Sequence, residues 1–232
     1  MIDTRPIRAV VFDAVGTLIY ADPSVAEVYH LIGWEHGSQL SLDEIGRRIQ
    51  AAFTASETGE GLSRQPTSEP QEQLRWQQIV AAVLDDVADP NRAFQTLWDH
   101  FARPQSWRLF DDAAAVLVEL SNRGYRLAIA SNFDRRLYAV RQAHAPLARC
   151  ERCFVSSDLG FPKPDPRFFA AVEVQLDLRP QRLLMVGDDW TNDTLGARAA
   201  GWQAVQLSRR RIGYEPEEIT TIAALLDMLS EI

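Results

Sequence analysis

A short uninterrupted apolar run, Ala9-Val10-Val11-Phe12, stops at Asp13 and is followed by Gly16-Thr17. An apolar stretch of that length, with turn residues behind it, is the pattern of a strand buried on both faces. Similar runs recur at Leu127–Ala130, Leu183–Val186 and Ala204–Leu207, with a further strand-like segment at Phe154-Val155-Ser156. Helical periodicity fills the intervals. This alternation predicts an α/β protein with a Rossmann-like, doubly wound parallel sheet.

The interval between the first and second strands is far longer than the others. From residue 19 to residue 108 the pattern is helical, without a convincing strand, which predicts an all-helical insert in a core made of residues 1–18 and 109–232. Asp22-Pro23 can start a helix carrying Val25, Val28, Tyr29 and Ile32 on one face, and Ser41-Leu42-Asp43-Glu44 has the spacing of a capping box ahead of Ile45, Ile49 and Phe53. Residues 56–73, with Gly59, Gly61, Pro66 and Pro70 among polar neighbours, read as a loop. Beyond it one stripe holds Trp76, Ile79, Val80, Val83, Leu84 and Val87, and the next holds Phe94, Leu97, Trp98 and Phe101. That spacing belongs to buried helix faces, so these aromatic side chains are expected as core between helices. After the insert, residues 111–122 predict a helix closed by Gly124, and the segment from Pro216 predicts a closing helix with Ile219, Ile222, Leu225, Leu226 and Leu229 inward. Arg209-Arg210-Arg211 reads as a solvated loop.

Composition narrows the functional classes. With 46% hydrophobic and 24% charged residues over 232 positions, the chain can build a sizeable core. Its 24 basic and 32 acidic side chains leave a formal charge of -8, which disfavours a nucleic acid or an anionic membrane as partner. No apolar run approaches the ~18 residues of a membrane span, and the first residues lack the pattern of a secretory signal, so a cytoplasmic protein is expected. Cys150 and Cys153, even with His144, fall short of a zinc-ribbon ligand set and are expected as ordinary thiols near the start of a strand. Lys163 is sharper: it is the only lysine in a chain that otherwise uses arginine. A flat guanidinium cannot always replace a compact ammonium on a flexible stem, so one retained lysine marks a place that needs a point charge.

Doubly wound sheets bind ligands at the carboxyl ends of their strands. There the sequence places Asp13 after the first strand, Ser131-Asn132 after the second, Lys163 beyond the third, and Gly187-Asp188-Asp189 with Asp193 after the fourth. A few oxygen ligands, with room for water and phosphate, suit Mg²⁺, and Asp13 and Asp188 can supply two of them. With the cation and Lys163 offsetting phosphate charge, a carboxylate could attack phosphorus and form an aspartyl-phosphate that water later hydrolyses. The set points to phosphoryl transfer on a small phosphorylated molecule.

The ordered segments Asp13-Ala14-Val15-Gly16-Thr17-Leu18, Ser131-Asn132, Lys163-Pro164 and Gly187-Asp188-Asp189 with Asp193 resemble the four motifs of the haloacid dehalogenase-like hydrolase superfamily. The position of the insert resembles the subfamily with a helical cap between motifs one and two, so the likeness covers essentially the whole chain. The resemblance implies Asp13 as nucleophile and metal ligand, with the main-chain carbonyl of Val15 and the carboxylate of Asp188 as further ligands. It implies Ser131 on the transferring phosphoryl group, Asn132 and Thr17 on the substrate side with Thr17 also ordering its loop, and Lys163 joining Asp13 to the phosphate. Asp189 and Asp193 would stand behind the metal ligands.

One position departs from that pattern. Phosphatases of the superfamily usually carry a second Asp two residues after the nucleophile, which protonates the leaving oxygen and then activates water; here Val15 stands there and cannot move a proton. General acid–base catalysis is worth about 10² to 10⁴ in rate. Three readings follow. The first, which the residues favour, is an Mg²⁺-dependent phosphohydrolase whose substrate has a good leaving group or whose proton moves through another group. The second is a metal-independent 2-haloacid dehalogenase, since relatives that cleave 2-haloacids also lack the second Asp, although Gly187-Asp188-Asp189 resembles the metal-binding form of the motif. The third is a catalytically weak protein that binds a phosphorylated ligand or a protein partner. Phosphonate-cleaving members need a Schiff-base lysine in the cap, and Lys163 lies beyond it. Tyr20, Arg47, Arg48 and Arg64 are candidates to reach the site from the cap, with solvated positions expected for each. The pattern expresses neither the substrate nor the oligomeric state.

Overall fold

The computed structural model describes residues 7–58, 66–209 and 218–229. In chain order the elements are β1 (Ala9–Phe12), β2 (Ile19–Ala21), α1 (Val25–Glu35), α2 (Leu42–Thr58), α3 (Glu69–Val83), α4 (Pro90–Ala102), β3 (Trp107–Leu109), α5 (Ala113–Asn122), β4 (Arg126–Ser131), α6 (Arg136–Ala143), β5 (Arg152–Val155), α7 (Ser156–Leu159), α8 (Pro166–Leu176), β6 (Leu183–Gly187), α9 (Gly196–Ala199), β7 (Gln203–Leu207), β8 (Glu218–Ile219) and α10 (Leu225–Met228). Among the described residues no helix is long and apolar enough to cross a membrane.

The apolar runs become a parallel sheet in the order β5-β4-β1-β6-β7-β8. β1 lies between β4 and β6, with Phe12 opposite both Ile129 and Val186. Relative to chain order this is the Rossmann arrangement, in which the order reverses beside the first strand and a crevice opens at the strand ends. Within each run successive side chains turn to opposite faces. Val10, Phe12, Ile129 and Val186 pack with Val116, Leu117 and Leu120 of α5, whereas Val11, Ala130 and Met185 pack with Phe168, Phe169 and Val172 of α8. Both faces are covered by helices, which is why the central stretches of β1, β4 and β6 are unbroken apolar runs.

Helices α1 to α4 fall between β2 and β3. Those two strands pair antiparallel, with Tyr20 opposite Arg108, and correct the expectation of a strandless stretch over 19–108. Three-residue strands are too short to register as a period of two. The capping box also lies elsewhere: the Ser24 side chain accepts from the Glu27 N–H while the Glu27 carboxylate accepts from the Ser24 N–H (2.8 Å). At Ser41 the forward bond from the Glu44 N–H forms (3.3 Å), but Glu44 turns its carboxylate to Arg47 and Arg48. The loop expected over 56–73 is narrower, because α2 runs to Thr58 and α3 begins at Glu69 with Pro70 in its first turn, where a proline costs no hydrogen bond. Gly59 and Gly61 lie outside the described residues.

The C-terminal segment departs from the expected continuous helix. Ile219 instead pairs with Leu207 at the sheet edge, and Ile222–Ala224 form a 3₁₀ turn ahead of α10. Pro216 lies outside the described residues. Arg209 is not solvated either. Its guanidinium holds both oxygens of Asp112 (3.1 and 3.0 Å), donates to the Thr17 carbonyl (2.8 Å) and lies 3.8 Å from the Phe110 ring centroid. Asp112 also accepts from the Thr221 hydroxyl and the Ile222 N–H (3.0 Å), so one carboxylate ties α5, the loop after β7 and the C-terminal segment together.

Burial pushes the Asp112 carboxyl up, but the bonds from Arg209 and Thr221 outweigh it and hold it below the usual range. Its contribution to stability is therefore complete above the unfolded-state value of about 3.9 and disappears as pH falls through the lower folded-state value. Asp112→Asn should cost about 1.5 to 3 kcal/mol near neutrality, the range for hydrogen bonds to a charged group. In denaturant titrations the gap between the two proteins should close below about pH 3.9; a gap independent of pH would exclude this role for Asp112.

Candidate active site

Asp13 ends β1 at the centre of the sheet, where its N–H donates to the Val186 carbonyl (2.9 Å). The next turn needs Gly16 on two counts. Its φ is +88°, and a Cβ there would stand 2.2 Å from a carboxylate oxygen of Asp188. Gly187, at the end of β6, plays the same part for Asp193, whose carboxylate would lie 2.1 Å from an added Cβ. Two bare stretches of backbone thus let two carboxylates close in on Asp13.

Lys163 reaches them from the loop after α7. Asn132 fixes its main chain, accepting from the Lys163 N–H (2.7 Å) and donating to the Lys163 carbonyl (2.8 Å). The ammonium then donates to Asp13 Oδ1 (2.8 Å), Asp193 Oδ1 (2.5 Å) and the Ala130 carbonyl (2.8 Å), which uses all three of its protons. Burial opposes this charge, but Asp13 and Asp193 outweigh it and raise the lysine pKa above its ordinary value. Burial and then the neighbouring Asp13 charge push Asp188 up. Asp193 is likewise raised, by burial and Asp13 against the opposing pull of Lys163.

Carboxylate oxygens of Asp13, Asp188 and Asp193 lie within 4.8 Å of one another. Oxygen donors at that spacing fit a small divalent cation, which coordinates at about 2.0 to 2.1 Å, and a cation would relieve the charge crowding that raises Asp188.

The structure brings together most of the residues expected from the sequence. Asp13, Val15, Ser131, Asn132, Lys163, Asp188, Asp189 and Asp193 all line one cavity of about 1610 Å³. Thr17 is the exception: it is fully buried and donates its hydroxyl to Asp188 Oδ1 (3.1 Å), so it orients that carboxylate and not a substrate. Asn132 faces the cavity but gives both ends of its carboxamide to Lys163. Asp189 caps the helical turn Trp190–Leu195 through the Asn192 N–H (2.8 Å) and side chain (2.8 Å). Asp193 lies closer than expected, inside the carboxylate group and paired with Lys163.

Tyr20, Arg47 and Arg48 do not line the cavity. Tyr20 packs on Phe110 at 4.8 Å between ring centroids, and the two arginines pair with Glu44, Arg48 also with Asp85. Arg64 lies outside the described residues. The cavity is instead walled by Tyr29, Phe53, Trp76, Trp98 and Phe101, with Arg136 of α6. Their helical spacing is that of ordinary core, so the one-dimensional pattern carries no signal that they border a space. Cys150 and Cys153 are free thiols, and Asp13, Asp188 and Asp193 form the one group of three or more potential metal-ligating side chains among the described residues.

A model of the haloacid dehalogenase-like hydrolase family matches residues 7–201. The human haloacid dehalogenase-like hydrolase domain-containing protein 3 is 31% identical over 204 residues, 84% of this chain and 79% of that protein. A phosphoserine phosphatase from Thermus thermophilus is 33% identical over 130 residues, 56% of this chain and 51% of the other. Among solved structures, a dehalogenase captured as an intermediate complex superposes with a TM-score of 0.74 at 23% identity, covering both chains in full.

Gly187→Ala should lower the melting temperature by several degrees, because Asp193 must move off Lys163; an unchanged melting temperature would refute the close-approach argument. Burial pushes the Cys150 and Cys153 thiols up to about 12, against the opposing pull of Arg141. Neither should react with a disulfide reagent at pH 8 in the native protein, and both should react after unfolding. Rapid labelling of native protein would contradict the raised thiol pKa values.

Proposed function

The chain belongs to the haloacid dehalogenase-like hydrolase family, and from that premise we propose that it is an Mg²⁺-dependent phosphohydrolase acting on a small phosphorylated molecule. The observation that carries this reading is the trio Asp13, Asp188 and Asp193 around the buried Lys163 ammonium at the edge of the cavity. Asp13, Asp188 and the Val15 carbonyl would hold Mg²⁺, with Asp193 in reach, and the cation would offset phosphate charge.

Asp13 attacks phosphorus through its carboxylate, the bond from phosphorus to the substrate oxygen breaks, and the electron pair leaves on that oxygen. Ser131 donates its hydroxyl to a phosphoryl oxygen, while Lys163 keeps Asp13 aligned. Water then attacks the aspartyl-phosphate, releasing phosphate and restoring the carboxylate. Because Val15 offers no proton, the departing oxygen is best one that leaves readily as an anion. A phenol, whose pKa is about 10 as in tyrosine, meets this condition far better than an aliphatic alcohol.

The cavity's charges favour this over dehalogenation. A 2-haloacid presents a carboxylate that needs a cation to receive it, yet Arg75, Arg136 and Arg167 are paired with Glu72, Asp134 and Asp165, and Lys163 with Asp13 and Asp193.

The test is hydrolysis of p-nitrophenyl phosphate with Mg²⁺ and with EDTA. Turnover should require the metal and fall at least about a hundredfold in Asp13→Asn and Asp188→Asn. Val15→Asp should raise turnover of an alkyl phosphate by about 10² to 10⁴, the value of general acid–base catalysis. Metal-independent chloride release from 2-chloropropionate, with no phosphate turnover, would overturn the reading.

A further inference from the structure

At the Asp13 end of the cavity three carboxylates share one ammonium, whereas at the other end each charge has its own partner. Phe53 and Trp76 meet edge to face at 5.4 Å, and the Arg136 guanidinium lies 3.5 Å from the Trp98 ring centroid and 5.7 Å from that of Trp76. This cation is already spent, holding both oxygens of Asp134 at 2.8 and 2.7 Å. Glu72, the buried carboxylate nearby, accepts from Thr67 (2.6 Å) and Arg75 (3.2 Å). Away from Asp13 and its neighbours, every charged side chain that lines the cavity among the described residues is therefore paired.

Tyr29 supplies the complementary signal. It lines the same cavity and is 2% exposed. A phenolic O–H in a cavity wall can donate to a ligand atom. Burial also raises the phenol's pKa, which keeps it a donor at neutral pH.

We propose that the body of the substrate is an uncharged, ring-sized apolar group carrying one hydrogen-bond acceptor for Tyr29, seated against Trp76, Trp98 and Phe101 while its phosphate lies against Asp13 and Ser131. The inference rests on the phosphohydrolase reading for the position of the phosphate. A body bearing an ammonium or carboxylate, as in phosphoserine, would enter this space without a partner for its charge. A flat ring gains both apolar burial and favourable ring geometry.

Phosphonates test this without involving the leaving group. With Mg²⁺ present, calorimetric titration should find benzylphosphonate bound about ten- to a hundredfold more tightly than methylphosphonate, as expected for burying a phenyl-sized group. 2-Amino-4-phosphonobutyrate should bind no more tightly than methylphosphonate. Trp98→Ala should bring the benzyl-to-methyl ratio to within about threefold, and Tyr29→Phe should weaken p-nitrobenzylphosphonate several-fold. The wild-type ratio needs no variant to fold. Equal binding of the benzyl and methyl compounds, or tighter binding of the amino-acid phosphonate, would overturn this inference and leave the phosphohydrolase reading standing. Failure of every phosphonate and of inorganic phosphate to bind would remove both.

Discussion

A lysine ammonium with almost no access to water is the constraint around which this molecule is arranged. Lys163 is 3% exposed, and a charge taken out of water survives only when every proton is received. Asp13, Asp193 and the Ala130 carbonyl receive them, and these come from the turn after β1, the helical turn after β6 and the interior of β4. The ion pairs therefore fix how three neighbouring strand ends stand relative to one another. Removing one partner would leave an uncompensated buried charge, whose cost is several kcal/mol. The same groups that would do the chemistry thus also determine the geometry of the sheet edge.

Several less conspicuous residues serve that arrangement. Gly16 and Gly187 withhold a side chain where a carboxylate must approach the backbone, and Thr17 steadies Asp188 from beneath. Asn132 acts on the main chain of Lys163, so the direction of the ammonium follows from a carboxamide on a different strand end. Arg209 extends the connection outward, because it binds the Thr17 carbonyl and Asp112 together and so couples the first loop to the C-terminal segment.

Arg136 links the carboxylate end of the cavity to the helical insert. It leaves the sheet edge at the start of α6, pairs with Asp134 and passes between the indole rings of α3 and α4. This gives the cavity a graded character, with crowded carboxylates at one end and paired charges among aromatic walls at the other. The proposed phosphate chemistry and the proposed recognition of an apolar body are compatible in one space because the charged groups of the second end have already found partners in the protein.

The sequence by itself determined the class of fold, because a strand buried on both faces must be an unbroken apolar run, and such runs alternate with helical stripes along this chain. It also determined which residues stand at the strand ends, since Asp13, Ser131 and Asp188 immediately follow or close those runs. Lys163 was legible as a single lysine in an arginine-rich chain. Tertiary structure alone decided that Thr17 supports Asp188, that Asp193 joins the carboxylate group, and that Tyr29, Trp76 and Trp98 border a cavity. Helical spacing records which side of a helix is turned from water, and that side looks the same whether it meets another helix or an enclosed space. The pairing of Arg209 with Asp112 and the turn of Ile219 into the sheet were equally hidden. Each depends on a partner about 100 residues away or on a neighbouring strand, which no local pattern can encode.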